Sequence, residues 1–219
     1  MSRSFVYAPA KDPSIVVIYE DEAFLVLDKP SGLLSVPGKP PEHSDCLETR
    51  AQAVYPEART VHRLDMATSG VWVMAREHAM MRHLGLQFER RHTSKTYIAR
   101  VWGDIEDDEG FIDEPIICDW PNRPKQMICY EKGKPSQTKW KVIERKDGIT
   151  RVELTPITGR THQLRLHMQH IGHPILADRI YAHDEAFEAA DRLQLHAHSI
   201  TMHHPIGGEK ITFTSPVPF

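Results

Sequence analysis

Thr60-Val61-His62-Arg63-Leu64-Asp65-Met66-Ala67-Thr68-Ser69-Gly70 runs directly into the apolar stretch Val71-Trp72-Val73-Met74-Ala75. A polar loop carrying an acid beside two potential cations therefore ends in a short strand, Gly70–Ala75. Upstream, Val16–Tyr19 and Phe24–Leu27 are runs rich in β-formers, separated by the turn Glu20-Asp21-Glu22, and they read as a strand pair. Downstream, Arg76–Arg90 places Met80, Met81, Leu84 and Phe88 at helical spacing, and Thr96–Trp102 reads as a strand.

The rest of the chain repeats this mixture. Lys29–Pro41 is a loop, punctuated by Pro30, Gly32, Pro37, Gly38, Pro40 and Pro41. Asp45–Ala53 is expected to be a helix with Ser44 or Asp45 as N-cap. Residues 110–156 are strand-rich: Trp140, Val142 and Ile143 share one run, and Val152 and Leu154 alternate with polar neighbours in another. Arg160–His170 reads as a helix with Leu164, Met168 and Ile171 on one side, and Leu193–Met202 and Lys210–Thr214 are further strands. Residues 1–13 look like a short irregular arm. Strands with interspersed helices and short connections predict an α+β fold built on a mixed, mainly antiparallel sheet. No repeat or linker divides the sequence, so residues 1–219 are expected to form one domain.

The hydrophobic share of 40% and charged share of 26% are ordinary for a globular chain. No apolar run is long enough to span a bilayer, and Met1-Ser2-Arg3-Ser4-Phe5 lacks the apolar centre of a secretory signal, so a cytoplasmic location is expected. Cys46, Cys118 and Cys129 are widely spaced and include no C-x-x-C, which points to buried free thiols. The net charge of −3 hides a separation of charge. Between Ile105 and Asp119 there are seven acids and no Lys or Arg. From Arg123 to Lys146, the bases Arg123, Lys125, Lys132, Lys134, Lys139, Lys141, Arg145 and Lys146 face only Glu131 and Glu144. Arg90, Arg91, His92 and Lys95 form a second basic cluster. Local basic surfaces bind phosphate whatever the net charge, although such clusters also occur as merely solvated faces.

Three segments carry candidate chemistry. In the first, a carboxylate beside an arginine has its ionised form favoured and can act as nucleophile or base. The bland alternative for Asp65 is a loop acid held in a turn by Arg63 and Thr68. The His-Arg-x-Asp string is not that of a protein kinase, because Leu64 intervenes and no glycine-rich loop, V-A-I-K or D-F-G accompanies it. A zinc deaminase would need P-C-x-x-C and H-x-E, and neither occurs. The second segment, Ser94–Gly103, sets Tyr97 in a strand after a basic patch, where the ring can line a pocket or pack in a core. The third, Thr158–Met168, places Gly159 and Arg160 at the start of a helix, where an anion is favoured. Arg160 and Arg165 there can divide two tasks, one holding phosphate and the other pairing with a buried carboxylate. His162, His167, His170 and His173 lack metal-ligand spacing and are expected to face solvent or RNA.

These segments, taken in order, resemble the RluA family of pseudouridine synthases. Lys29-Pro30-Ser31-Gly32-Leu33 is similar to the family's K-P-x-G-L motif. His62-Arg63-Leu64-Asp65 with Thr68-Ser69-Gly70 resembles H-R-L-D-x-x-T-S-G, and Lys95-Thr96-Tyr97 resembles K-x-Y. Gly159–His167 resembles G-R-x-H-Q-x-R-x-H, and Leu195-His196-Ala197 with His204-Pro205 resembles the closing signature. The resemblance spans Val16 to Phe219. It implies a mainly antiparallel sheet with flanking helices and a central catalytic cleft, and an isomerase that converts uridine to pseudouridine in RNA without cofactor or metal. It implies Asp65 as the catalytic aspartate, Tyr97 beneath the target base and Arg165 as ion-pair partner of Asp65. It further implies Arg63 as the side chain that enters the RNA stack where the uridine leaves, with His62, Lys95, Arg160 and Gln163 contributing to RNA binding. Many relatives carry an S4 RNA-binding domain. Here the first motif already begins at Lys29, so none is expected. Short members of this kind resemble those acting on both 23S rRNA and tRNA, which makes 23S rRNA and the tRNA anticodon stem-loop the expected partners of a monomeric enzyme.

Two rivals remain at this level. A non-catalytic RNA-binding protein would use the basic clusters without Asp65. A hydrolytic RNA N-glycosidase would need a second carboxylate to activate water, and the motifs provide none.

Overall fold

The computed structural model describes residues 6–219. The chain divides into two compact units, one comprising the residues up to Lys95 with His196–Pro218, the other Thr96–Leu195 with Phe219.

In the first unit, β1 (Val17–Glu20) and β2 (Phe24–Lys29) form an antiparallel hairpin. Its turn is organised by Asp21, whose Oδ1 accepts from the N–H groups of Ala23 (2.7 Å) and Phe24 (2.8 Å). Short-range bonding of this kind explains why an acid stands between two apolar runs. A single turn of tight helix covers Pro41–His43. Helix α1 is Leu47–Val54. Its N-cap is Cys46 rather than the expected Ser44 or Asp45: the thiol accepts from Thr49 N–H, and the Thr49 hydroxyl accepts from Cys46 N–H. The two-residue strand β3 (Arg59–Thr60) pairs with β4 (Ser69–Ala75), which also pairs with β2. All seven residues of β4 are buried, as befits a central strand covered on both faces. Helix α2 (His78–Glu89) follows, and Leu84 is its fully buried contact with the core.

The last two strands of the unit come from the end of the chain. β11 (Leu195–His203) runs parallel to β4, with His196 opposite Ser69 and Ala197 opposite Gly70. It pairs antiparallel with β12 (Lys210–Thr214). The sheet is therefore mixed but mainly antiparallel. Gly70 is required where it stands: its φ is +112°, and a Cβ there would lie 2.2 Å from the Ala197 carbonyl oxygen. The core of the unit gathers Phe24, Val26, Val71, Val73, Leu84, Ile200, Met202 and Phe213. Fully burying one such side chain contributes about 1.5–3 kcal/mol.

The second unit is built on an antiparallel sheet of β5 (Ser94–Trp102), β10 (Ile149–Pro156), β9 (Gln137–Lys146) and β6 (Glu109–Asp113), in that order. Thr150, Val152, Leu154 and Pro156 alternate inward along β10, and Thr138 and Trp140 do so on β9. A separate hairpin joins β7 (Ile116–Cys118) to β8 (Gln126–Ile128). Helix α3 is Gln163–His170 and α4 is Asp184–Glu188. Ile116, Leu166 and Tyr181 form a small core that joins the hairpin to α3. Among the described residues, no helix is long and apolar enough to cross a membrane. Of the three cysteines, all free, Cys46 is buried as expected, while Cys118 and Cys129 are only partly covered.

Candidate active site

The Asp65 loop lies in the first unit, and the loop after β2 holds its backbone on both sides. Ser35 Oγ donates to the Leu64 carbonyl (2.8 Å) and accepts from the Leu64 N–H (3.1 Å). Beyond Asp65, the Met66 carbonyl accepts from the Gly32 N–H (2.9 Å) and from the Lys29 ammonium (2.9 Å). Ser31 Oγ donates to the Ala67 carbonyl (2.7 Å), and the Thr68 N–H donates to the Asp65 carbonyl (3.0 Å), closing the turn. Asp65 itself is half-buried, and Arg63 is exposed.

Lys29 has no exposed surface. A buried ammonium is costly unless its donors are used. Here its Nζ donates to the carbonyls of Pro30 (2.8 Å), Leu33 (2.6 Å) and Met66 (2.9 Å), which matches the three donors of the group. The K-P-x-G-L motif thus reaches the Asp65 loop through a charge-assisted bond.

His62 is positioned by β4 and α2. Its Nε2 accepts from the Val73 N–H (3.0 Å), so that nitrogen carries no proton and the ring is neutral. Its carbonyl accepts from Trp72 Nε1 (2.8 Å), and its ring stacks on Phe88 at 4.7 Å. Enclosure first, and the Lys95 charge second, push its pKa down to about 3. The Lys95 ammonium sits 5.8 Å from the Phe88 centroid, and burial pulls its pKa below the usual lysine range. Nearby in sequence, the Ser69 hydroxyl meets His196 Nδ1 (2.9 Å), while His196 Nε2 faces the Ser215 carbonyl (3.2 Å). A carbonyl only accepts, so Nε2 carries the proton and Nδ1 accepts from Ser69.

The second unit holds Tyr97, Arg160, Gln163 and Arg165. Tyr97 is half-buried on β5, opposite Leu154 of β10. Arg160 is exposed, and its Nε donates to the Pro135 carbonyl (3.3 Å). Gln163 is 3% exposed. Its amide oxygen accepts from the Thr158 hydroxyl (2.7 Å) and the Arg160 N–H (3.0 Å), and its amide nitrogen donates to the Gln137 carbonyl and Thr138 Oγ1. These bonds make it a brace under the Arg160 turn. The helix consequently starts at Gln163, later than Arg160, with His162 at the N-cap in the left-handed region (φ +55°).

Arg165 pairs with the buried carboxylate of Asp178, an acid the sequence reading had not singled out. Nε and Nη2 donate to Asp178 Oδ2 (2.7 Å) and Oδ1 (2.8 Å). Asp178 also accepts from the N–H groups of Ile180 and Tyr181. Burial alone would raise its pKa, but the Arg165 bonds and charge and the two N–H groups outweigh this and lower it. The Arg165 guanidinium lies 5.4 Å from the Tyr181 ring centroid. The Tyr181 hydroxyl accepts from the Gln126 N–H (2.8 Å) and meets His162 Nδ1 (2.9 Å). Sequence reading missed Asp178 and Tyr181. The signal for Asp178 was an acid closing the apolar run Pro174-Ile175-Leu176-Ala177, where only a paired carboxylate is tolerated. His167 corrects the expectation of outward-facing histidines: it is 0% exposed, with Thr138 Oγ1 on one ring nitrogen and the Glu114 carbonyl on the other.

Residues 23–170 match the family described as RNA pseudouridylate synthase, and the chain belongs to that family. Over 214 residues it is 55% identical to the dual-specificity RNA pseudouridine synthase RluA of Salmonella typhimurium, covering 97% of this chain and 98% of that one. It is 56% identical over 206 residues to the enzyme of the same name from Yersinia pestis, covering 94% of this chain and 100% of that one. Among solved structures, human RNA pseudouridylate synthase domain containing 1 aligns with a TM-score of 0.82 at 28% identity, covering 97% of this chain and 87% of that one. The chain is therefore an RNA pseudouridine synthase, and the mixed, mainly antiparallel fold expected from the sequence is that of its relatives.

Proposed function

We propose that this enzyme isomerises selected uridines in both 23S rRNA and the tRNA anticodon stem-loop, with Asp65 as the reacting carboxylate. Near-full-length identity to enzymes named as dual-specific supports two RNA classes. The role of Asp65 rests on one observation above all: bonds from Ser35, Lys29, Gly32 and Ser31 fix the backbone on either side of it. An unreactive loop acid needs no such bracing, whereas a reacting group must be held near its attack geometry.

In the reaction, the N1–C1′ bond breaks, the base turns, and a C5–C1′ bond forms. N1 gains a proton and C5 loses its hydrogen, so no atom is lost and no redox partner is needed. Asp65 serves either by removing a sugar proton to give a glycal or by attacking the substrate to form an adduct. Both routes end in loss of hydrogen from C5. Tyr97 packs under the base, and Arg165 is the arginine of the catalytic set. The uridine must leave its stack, which costs a few kcal/mol. Arg63, exposed two residues before Asp65, fills the vacancy. Arg160 and Lys95 meet phosphate, while His62 and Gln163 support them from beneath the surface. Residues 1–219 act as one catalytic domain, in the cytoplasm and as a monomer.

Release of tritium from RNA labelled at C5 of uridine tests the assignment. Wild type is expected to release tritium from 23S rRNA and from bulk tRNA, and Asp65→Asn from neither, while still binding both. Turnover by Asp65→Asn would remove Asp65 from the chemistry. Free uracil in place of pseudouridine would show a glycosidase.

A further inference from the structure

The hairpin β7–β8 is not used by the chemistry above, yet its tip is unlike the rest of the surface. Trp120 is 65% exposed, and the Arg123 guanidinium lies over its ring at 4.4 Å from the centroid. Lys125 is exposed on the same tip. The tip is held by a closed set of backbone bonds, Asp119 N–H to Lys125, Lys125 N–H to Asn122 and Asn122 N–H to Asp119, each 3.0 Å. After β8 the chain turns back. Tyr130 on that turn is 75% exposed, and Lys134 bonds in both directions with Ile116 at the foot of β7. Lys132 and Lys134 are exposed there. Pro135, the next residue, accepts from Arg160. The result is a cationic strip with two outward aromatic rings, running from the hairpin tip to the start of α3.

A large indole costs solvation when left in water, and an arginine stacked on it keeps donors for phosphate while covering part of the ring. Aromatic rings interleaved with cations bind unstacked nucleic-acid bases: the rings take the base faces and the cations take the phosphates. A protein partner would instead favour an apolar patch depleted of lysine at its centre. The base of the hairpin is also fixed. Gln126 of β8 donates to Tyr181, whose ring packs under Arg165 and whose hydroxyl meets His162. The strip is thus rigidly related to α3 and is no loose loop.

We propose that this arm is a second RNA-contact surface, which stacks an unpaired base of the substrate on Trp120 and holds flanking phosphates on Arg123, Lys125, Lys132 and Lys134. The proposal rests on RNA being the substrate.

Fluorescence anisotropy of a labelled anticodon stem-loop, measured from about 50 to about 200 mM salt, tests it. Trp120→Ala is expected to weaken binding about 5- to 100-fold, with kcat/KM falling in step, and Trp120→Phe to recover most of the loss. Arg123→Gln with Lys125→Gln should lower the slope of log affinity against log salt by about 1–2. All these side chains are exposed, so thermal midpoints serve as the control for folding. Unchanged affinity and slope in variants with wild-type midpoints would overturn the proposal. Tritium release by the wild type separates the two readings. Turnover with Trp120-independent binding removes the arm alone, and Trp120-dependent binding without turnover removes the isomerase assignment alone.

Discussion

Protonating His62 means breaking a bond, because its Nε2 already accepts from the Val73 N–H. Its folded pKa of about 3 lies far below the value of about 6.5 in an unfolded chain. Between these values the unfolded state binds more protons. The stability this group contributes is therefore complete above about pH 6.5 and is lost as pH falls toward 3. We expect the thermal midpoint of the wild type to fall between about pH 6.5 and about pH 5, and that of His62→Gln to fall less over the same interval; parallel curves would show that His62 does not titrate this way. His204 acts in the opposite sense. Burial opposes its charge, but bonds to Asp21 and Ile206 raise its pKa, so its contribution is full below the unfolded value and fades as pH climbs through the folded one. The sequence made Asp65, Arg63 and the basic residues legible because each sits in a spaced motif. It hid the burial of Lys29 and His167, since a charged or polar side chain gives no sign that distant carbonyls will surround it.

At the scale of elements, two parts carry buried charged groups. One is the end of β2, whose Lys29 ammonium joins it to the Asp65 turn. Lys29→Met keeps the length of the side chain and removes every donor, leaving carbonyls that cost about 1–3 kcal/mol each when buried without a partner. We expect turnover to fall at least tenfold at saturating RNA, more than affinity falls; equal losses in both would move Lys29 from positioning Asp65 to general folding. The other part is α3 with Asp178. Asp178→Asn takes the bidentate carboxylate from the Arg165 guanidinium, and loss of one member of a buried pair costs about 3–5 kcal/mol. A large drop in thermal midpoint is expected, and a drop of only a degree or two would show that the pair is replaceable. Strand positions were readable from alternation and β-branched content, as β2, β4, β5 and β10 show. The ends of α1 and α3 were not. A thiol caps α1, and the first turn expected of α3 is diverted by the Gln163 brace; both depend on side-chain bonds that no periodicity encodes.

Across the whole molecule, a net charge of −3 gives no hint of an anionic substrate. The positive character is confined to particular surfaces, among them the strip beside β7–β8, and summing over the chain erases it. The two-unit division was likewise invisible, because no linker composition marks Lys95 or Leu195. One unit is the stretch Thr96–Leu195 with Phe219; the other joins the residues up to Lys95 to His196–Pro218.

That arrangement sets an order of events during synthesis. Ser69 and its partner His196 are 127 residues apart. The seven buried residues of β4 therefore leave the ribosome well before the strand that lies parallel to them exists. The braced aspartate turn belongs to the part that must wait, and at a few to tens of residues per second the wait lasts on the order of ten seconds. For this enzyme, the sheet beside the aspartate turn closes only once β11 has been made.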